Sequence, residues 1–239
     1  MRRQLQTKSN VPNQQAQQYI RVAKARTMSS RAPSSKRARG GQRNVELPFA
    51  PPEDWYEPSE AKGDYRVIVQ SPGAGYRHVV TPSEVRERLA QVPPHFLRDL
   101  EVVQFSRMTN KKQSFPCYGM QWGNALYLYP LEDSLVEYFS SPPPINLVNE
   151  TRMYGARWVH EAPSTWLLQW NEKSIRDFYL NNILIHELGH LLDDRNNSYV
   201  GRERYAEWFA IQHGYLPSQA ARQRESRKKK KIVRRHHAS

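Results

Sequence analysis

Residues 183–192 read Ile183-Leu184-Ile185-His186-Glu187-Leu188-Gly189-His190-Leu191-Leu192. The stretch is apolar and made largely of helix-forming residues, and helix positions four apart lie on the same face. His186 and His190 therefore predict two ligands for one metal ion, with Glu187 beside them as the general base. Two core histidines that happen to be four apart are the alternative. Gly189 costs about 1 kcal/mol relative to Ala inside a helix, which predicts that a neighbouring strand or helix approaches closely there.

A catalytic zinc ion takes a third protein ligand and keeps one position for water. After a turn at 193–197, a helical pattern returns over 202–213. Glu207 stands between Ala206 and Ala210, on the face expected to pack, and a carboxylate there is costly to bury unless it is paired or bound to a metal. Glu207 is therefore the predicted third ligand.

Other residues near the motif leave alternatives open. Glu203 is one turn earlier and is the competing third ligand, although its neighbours Arg202 and Arg204 favour an exposed ion pair. Asp193 is expected to orient a ligand histidine by accepting a hydrogen bond from the ring N–H that does not face the metal, because such histidines usually donate that N–H to a carboxylate. His213, close to the predicted helix end at Gly214, is a candidate either for the cleft or for a C-terminal cap.

The motif followed by Ala206-Glu207-Trp208-Phe209-Ala210 resembles the gluzincin branch of the zincin-fold metallopeptidases. Within that branch the pair of motifs is similar to small domains related to the anthrax lethal factor catalytic domain, over about 35 residues. The resemblance implies zinc as cofactor and Glu207 as third ligand. It also implies a tyrosine shortly before that ligand to stabilise the oxyanion, for which Tyr199 and Tyr205 are the nearest candidates.

Charge divides the chain into three segments. Residues 1–45 hold eleven Lys and Arg and no acid, and residues 221–239 hold nine with one acid. Because the whole chain carries +13 and these ends carry +11 and +8, residues 46–220 carry −6. We therefore predict an acidic domain over 46–220 between a basic disordered N-terminal tail and a polybasic C-terminal tail. The basic tails are candidates for non-specific nucleic acid binding.

Patterns in the segment 46–220 predict an α+β fold, in which a small mixed sheet packs on the HExxH helix and a second helix carries the third ligand. Asn124–Tyr129 is the candidate edge strand that would hold an extended peptide. The remaining predicted elements are an extended entry at 46–64, a strand at 65–69 with its return at 77–80, a helix from a Thr81 N-cap to about Val92, strands at 100–105 and 152–160, a hairpin or kinked strand at 118–130, a long helix at 175–194 with Ser174 as N-cap, and the helix 202–213.

These features predict a zinc metalloendopeptidase that hydrolyses peptide bonds in a protein or peptide substrate. Glu187 is the general base, and Tyr199, Tyr205 or His213 stabilises the oxyanion. The rival hypothesis is an inactive zincin-like binding protein docked to nucleic acid by its tails, and a toxin or effector protease is a third. Cys117 is the single cysteine, no apolar stretch follows Met1-Arg2-Arg3, and no apolar run is long enough for a membrane span. We expect a protein that is not Sec-exported, located in the cytoplasm or associated with a nucleoid or nucleus, without a membrane partner.

Overall fold

The computed structural model describes Pro52, Tyr56, residues 64–109, Lys112 and residues 117–236, with side chains up to Arg227. The predicted N-terminal tail and most of the predicted entry segment lie outside these residues. The strands are β1 Arg66–Val69, β2 Tyr76–Arg77, β3 Val102–Phe105, β4 Gly119–Trp122, β5 Ala125–Leu128, β6 Leu131–Glu132, β7 Val136–Phe139, β8 Arg157–Ala162 and β9 Thr165–Gln169. The helices are α1 Pro82–Leu89, α2 Ile145–Met153, α3 Glu172–Phe178, α4 Leu184–Leu192, α5 Tyr199–Ala210 and α6 Leu216–His236, with a 3₁₀ turn at Pro94–Leu97. The predicted α+β class is confirmed.

The largest sheet has the strand order β1-β3-β5-β4, with β1, β3 and β5 parallel and β4 antiparallel to β5. Two predictions about strand pairing are wrong. β1 pairs with β3 rather than with a return strand at 77–80, because β2 turns away to pair with β6. Asn124–Tyr129 contains β5, an internal strand, so the edge strands of this sheet among the described residues are β1 and β4 instead.

A second sheet, of order β7-β9-β8, follows the first in sequence. The predicted strand at 152–160 is correct only in its second half. Helix α2 continues to Met153, and Gly155, with φ of 90°, then turns the chain into β8. Glycine adopts this left-handed conformation without the steric cost that a side chain adds.

The metal-motif helix is built of three joined pieces, α3, a π-helical turn at Tyr179–Ile183, and α4. It begins earlier than predicted. Asn171, rather than Ser174, is the N-cap, and Ser174 closes the capping box as the third helical residue. The apolar faces of α3 and α4 pack on the mixed sheet, and their side chains share one core cluster with Phe105, Leu126 and Leu128.

The C-terminal helices α5 and α6 are continuous with each other, whereas a helix end was predicted at Gly214. α5 passes through a π-helical turn at Ile211–Tyr215 into α6. Gly214 is a close-approach residue instead of a cap, because a Cβ there would overlap the Asn181 carbonyl oxygen. Pro217 has no N–H to donate to the carbonyl of His213, and the buried Arg88 guanidinium donates to that carbonyl in its place. Most of the predicted C-terminal tail is therefore helical in the structure.

A buried carboxyl joins the two larger sheets. Glu137 on β7 accepts hydrogen bonds from the Tyr118 hydroxyl at 2.9 Å and from Trp170 Nε1 at 2.7 Å. Burial raises the pKa of Glu137 to about 8, although the Trp170 hydrogen bond opposes the shift. Glu137 is therefore protonated in the folded protein at neutral pH.

This raised pKa predicts a pH-dependent stability. Between pH 4.5 and 8 the folded state keeps the Glu137 proton that the unfolded state loses, so this group's stabilisation is complete below pH 4.5 and is lost as pH rises through 8. Glu137→Gln keeps a neutral side chain at every pH. We expect urea unfolding to show that its stability relative to wild type increases from pH 5.5 to 7.5, by up to about 1.4 kcal/mol per pH unit. Asp133→Asn, which removes an exposed carboxyl, is the control and should follow wild type; a parallel pH dependence of Glu137→Gln and wild type would contradict the prediction.

None of the helices in the described part of the chain is long and apolar enough to cross a membrane.

Candidate metal centre

His186 and His190 lie on adjacent turns of α4 and face the first turns of α5. Their Nε2 atoms are 3.1 Å apart. Glu203, on α5, places Oε1 3.1 Å from His190 Nε2 and Oε2 3.6 Å from His186 Nε2. All three side chains are buried. Among the described residues, they form the group whose geometry suits a metal ion.

The spacing of these three side chains fits a zinc ion. Metal–ligand lengths of about 2.0–2.1 Å in a tetrahedral site put ligand atoms about 3.3 Å from one another. The observed separations of 3.1, 3.1 and 3.6 Å are close to that value. Burial lowers the pKa of His190, which keeps its imidazole neutral, the form that ligates a metal. Two imidazoles and a carboxylate are also the donor types that zinc accepts.

The predicted third ligand, Glu207, does not lie beside the two histidines, and Glu203 does. Glu203 reaches the histidines, whereas Glu207, one turn further along α5, is exposed. Ala206 and Ala210 are buried against the core as predicted. Glu207 follows Ala206 by one position and is therefore turned about 100° away from that buried face. Glu203 precedes Ala206 by three positions and shares the face.

Glycine at position 189 allows α5 to approach α4 closely. A Cβ on Gly189 would lie 3.1 Å from both Ala206 Cα and Phe209 Cβ. The prediction that a neighbouring element approaches at this glycine is confirmed, and the element is α5. This contact brings Glu203 within reach of the two histidines.

Arg202 holds the same two helices together at the end of α4. Its guanidinium donates to the carbonyl oxygens of His190, at 2.9 Å, and Asp193, at 3.0 Å. Carbonyls at a helix C-terminus have no partner within the helix, so Arg202 satisfies them from α5. Because Glu203 is buried, the predicted exposed ion pair is wrong, and the Arg202 side chain instead joins the end of α4 to the helix that carries Glu203.

Asp193 has a different role from the one predicted. Its carboxylate accepts hydrogen bonds from the backbone N–H groups of Arg195 and Asn196 and from the Asn196 side chain, at 2.9–3.3 Å. These bonds shape the turn between α4 and α5. Asp193 therefore stabilises the connection between α4 and α5, and among the described residues its carboxylate accepts no hydrogen bond from His186 or His190.

Glu187 lies beside His186 and faces the edge strand β4. It is buried, and a Cβ on Gly119 would be 3.0 Å from Glu187 Cγ and 3.1 Å from its Oε1. Gly119 was not predicted as a site residue. Glycine inside a strand is, however, a known sign of close backbone approach, and that signal was present in the sequence. Its missing side chain leaves room for the Glu187 carboxylate between the helix and the strand.

No protein-family model matches this chain, and no match was found among curated proteins or among solved structures. The geometry of the site itself therefore carries the functional argument.

The three predicted oxyanion candidates occupy different environments. Tyr199 begins α5, one turn before Glu203, and is partly exposed. Burial, and then the charges of Glu203 and Glu207, raise its pKa. Tyr205 and His213 are directed elsewhere. Tyr205 lies under the Arg195 guanidinium, and the His213 ring packs on Phe209 with ring centroids 4.4 Å apart. Tyr199 alone of the three is placed next to a residue of the metal cluster by these contacts.

Proposed function

We propose that this protein is a zinc-dependent metallopeptidase of the zincin type, with His186, His190 and Glu203 as ligands. The observation that carries the proposal is the buried cluster of these three side chains with Glu187 adjacent to it. A buried carboxylate next to two histidines is costly unless a cation or hydrogen bonds compensate for its lost hydration. A bound Zn²⁺ ion provides that compensation.

Zinc in this site would polarise the scissile carbonyl group and lower the pKa of a water molecule towards neutrality. Glu187 accepts a proton from the attacking water and delivers it to the leaving amine, which is the usual work of a general base that becomes a general acid. The Tyr199 hydroxyl is protonated at neutral pH, as in an ordinary tyrosine, and burial raises its pKa further. A protonated hydroxyl is a hydrogen-bond donor, and Tyr199 is the proposed donor to the oxyanion that forms during attack.

The edge strand β4 supplies a binding surface for an extended substrate. Tyr129 N–H donates to Tyr118 O at 2.9 Å, immediately before β4. Hydrogen-bonded and non-hydrogen-bonded pairs alternate along an antiparallel ladder, so Gly119 directs its N–H and C=O away from β5. That outer edge passes Glu187. A peptide that added to β4 as a further strand would lie across the catalytic carboxylate.

Metal content and hydrolysis together test the proposal. The purified full chain should retain about one zinc per molecule and cleave a mixed-sequence peptide library, with the new termini identified by mass spectrometry. Removing the metal with a chelator should abolish cleavage, and adding back one equivalent of zinc should restore it. Protein that binds no zinc at micromolar concentration would overturn the metal site, and zinc-loaded protein that cleaves no peptide would overturn the peptidase assignment.

A further inference from the structure

The C-terminal helix carries a concentration of positive charge that the proposed catalytic chemistry does not use. α6 extends over Leu216–His236. Nine Lys and Arg and one acid, Glu225, lie on it. The densest part runs from Arg227 to Arg235, where seven of nine residues are basic. Residues 64–220 hold fifteen Lys and Arg against seventeen Asp and Glu, so the positive charge is concentrated on this helix rather than spread over the domain.

The first turns of α6 are fixed to the domain, and the later turns extend beyond that contact. Arg222 Nη1 contacts Asp177 Oδ2 of α3 at 2.5 Å, and Arg222 Nη2 donates to Ser218 Oγ. From Gln223 to Arg227 every side chain is exposed. The helix therefore continues past its contact with the domain, and its side chains are exposed as far as Arg227.

We propose that α6 binds double-stranded DNA in the major groove through phosphate contacts, without reading its sequence. The five consecutive basic residues 227–231 occupy positions around the full circumference of the helix, because successive residues are about 100° apart. A helix is about 10–12 Å wide and fits a B-DNA major groove of about 12 Å. Cations on all sides of such a helix contact the phosphates on both walls of the groove.

The composition of α6 favours duplex DNA over other polyanions. No aromatic Phe, Trp or Tyr follows Tyr215, so the stacking that single-stranded nucleic acid requires is missing from this segment. Ile232 and Val233 are the only large apolar residues after Leu216, which is too little for a membrane-inserted face. The major groove of duplex RNA is too deep and narrow for a helix.

Fluorescence anisotropy of a labelled 20-base-pair DNA duplex, with the full chain, tests this inference. Seven phosphate contacts predict a slope of about −6 for log affinity against log salt concentration, and a loss of about 10³-fold or more between 50 and 200 mM salt. Replacing all four residues Lys228–Lys231 by Gln should make this salt slope less negative by about 3 to 4. Ser226→Pro, which breaks the helix but keeps every charge, should weaken binding about tenfold or more.

A matched control changes net charge equally at the other end of the chain. A variant with Gln in place of Lys36, Arg37, Arg39 and Arg43 also loses four positive charges. Its salt slope should differ from that of wild type by less than one. Equal losses in the two fourfold variants would overturn the inference, as would no duplex binding by wild type. Equal affinity for single-stranded DNA, for duplex RNA, or for phosphatidylserine vesicles would also overturn it. Thermal unfolding of each variant separates lost binding from lost folding, and Glu187→Gln should bind DNA like wild type, so this inference can fail or hold independently of the proposed peptidase.

Discussion

Glu203→Gln is expected to lose bound zinc, whereas Glu207→Gln retains it. The two substitutions remove the same charge from the same helix, one turn apart. Glu203 places its carboxylate oxygens 3.1 and 3.6 Å from the histidine Nε2 atoms, while Glu207 is exposed to solvent. A carboxamide is a poor zinc ligand compared with a carboxylate. Since loss of an outer partner of a zinc ligand costs about 10–100-fold in affinity, loss of the ligand itself should cost more than about 100-fold.

Competition with a chromophoric zinc chelator measures both affinities on the same scale. Thermal unfolding in excess chelator shows whether the metal-free variants fold equally, so that a lost fold is not mistaken for a lost ligand. The opposite pattern, zinc lost with Glu207→Gln and kept with Glu203→Gln, would mean that α5 lies one turn out of the described position. If both variants retain zinc, neither carboxylate is the third ligand.

The sequence predicted best those features that depend on residues close together in the chain. The capping box at Thr81 is present, with the Glu84 backbone and side chain both bonded to the cap. The helical setting of His186 and His190 is also confirmed. In both cases, the partners are three or four residues apart, and helix geometry alone brings them together.

From the residues around them, Glu207 was predicted to be buried and Glu203 to be exposed, and the structure shows the reverse. Arg202 and Arg204 suggested that Glu203 is exposed, and Ala206 suggested that Glu207 is buried. Adjacent residues on a helix point in directions about 100° apart, so they carry little information about each other's burial. The buried positions Ala206 and Ala210, three and seven residues after Glu203, place Glu203 on their face.

Strand pairing could not be predicted because it is decided by distant segments. β1 was expected to pair with the chain just after its turn, but its partner β3 lies beyond helix α1. The same applies to the edge of the sheet. The hairpin of β4 and β5 was one of two predicted forms, yet which of its strands faces outwards depends on whether β3 pairs with one or the other. All four residues of β5 are buried, whereas buried and partly buried residues alternate along β4. The continuous apolar run Ala125–Leu128 is therefore a local sign of an internal strand.

Glu187→Gln is expected to reduce peptide hydrolysis by about 10²–10⁴-fold, the range that general acid–base catalysis contributes, without reducing the zinc content. The side chain is not among the three proposed ligands, and the amide has nearly the shape of the carboxylate. It should therefore fit the same space against Gly119, where a Cβ would come within 3.0–3.1 Å of the Glu187 side chain. What the amide cannot do is accept a proton from the attacking water.

The measurement compares turnover of one peptide from the library by zinc-loaded wild type, Glu187→Gln and Glu207→Gln, each with its metal content recorded. Glu207→Gln is the control for the loss of a nearby carboxylate and should keep wild-type turnover. If Glu187→Gln cleaves as fast as wild type, the hydrolysis does not depend on this general base. If turnover and zinc fall together, Glu187 acts by holding the metal site rather than by moving protons. Full zinc with lost turnover is the result that distinguishes a general base from a ligand, because only proton transfer is then missing.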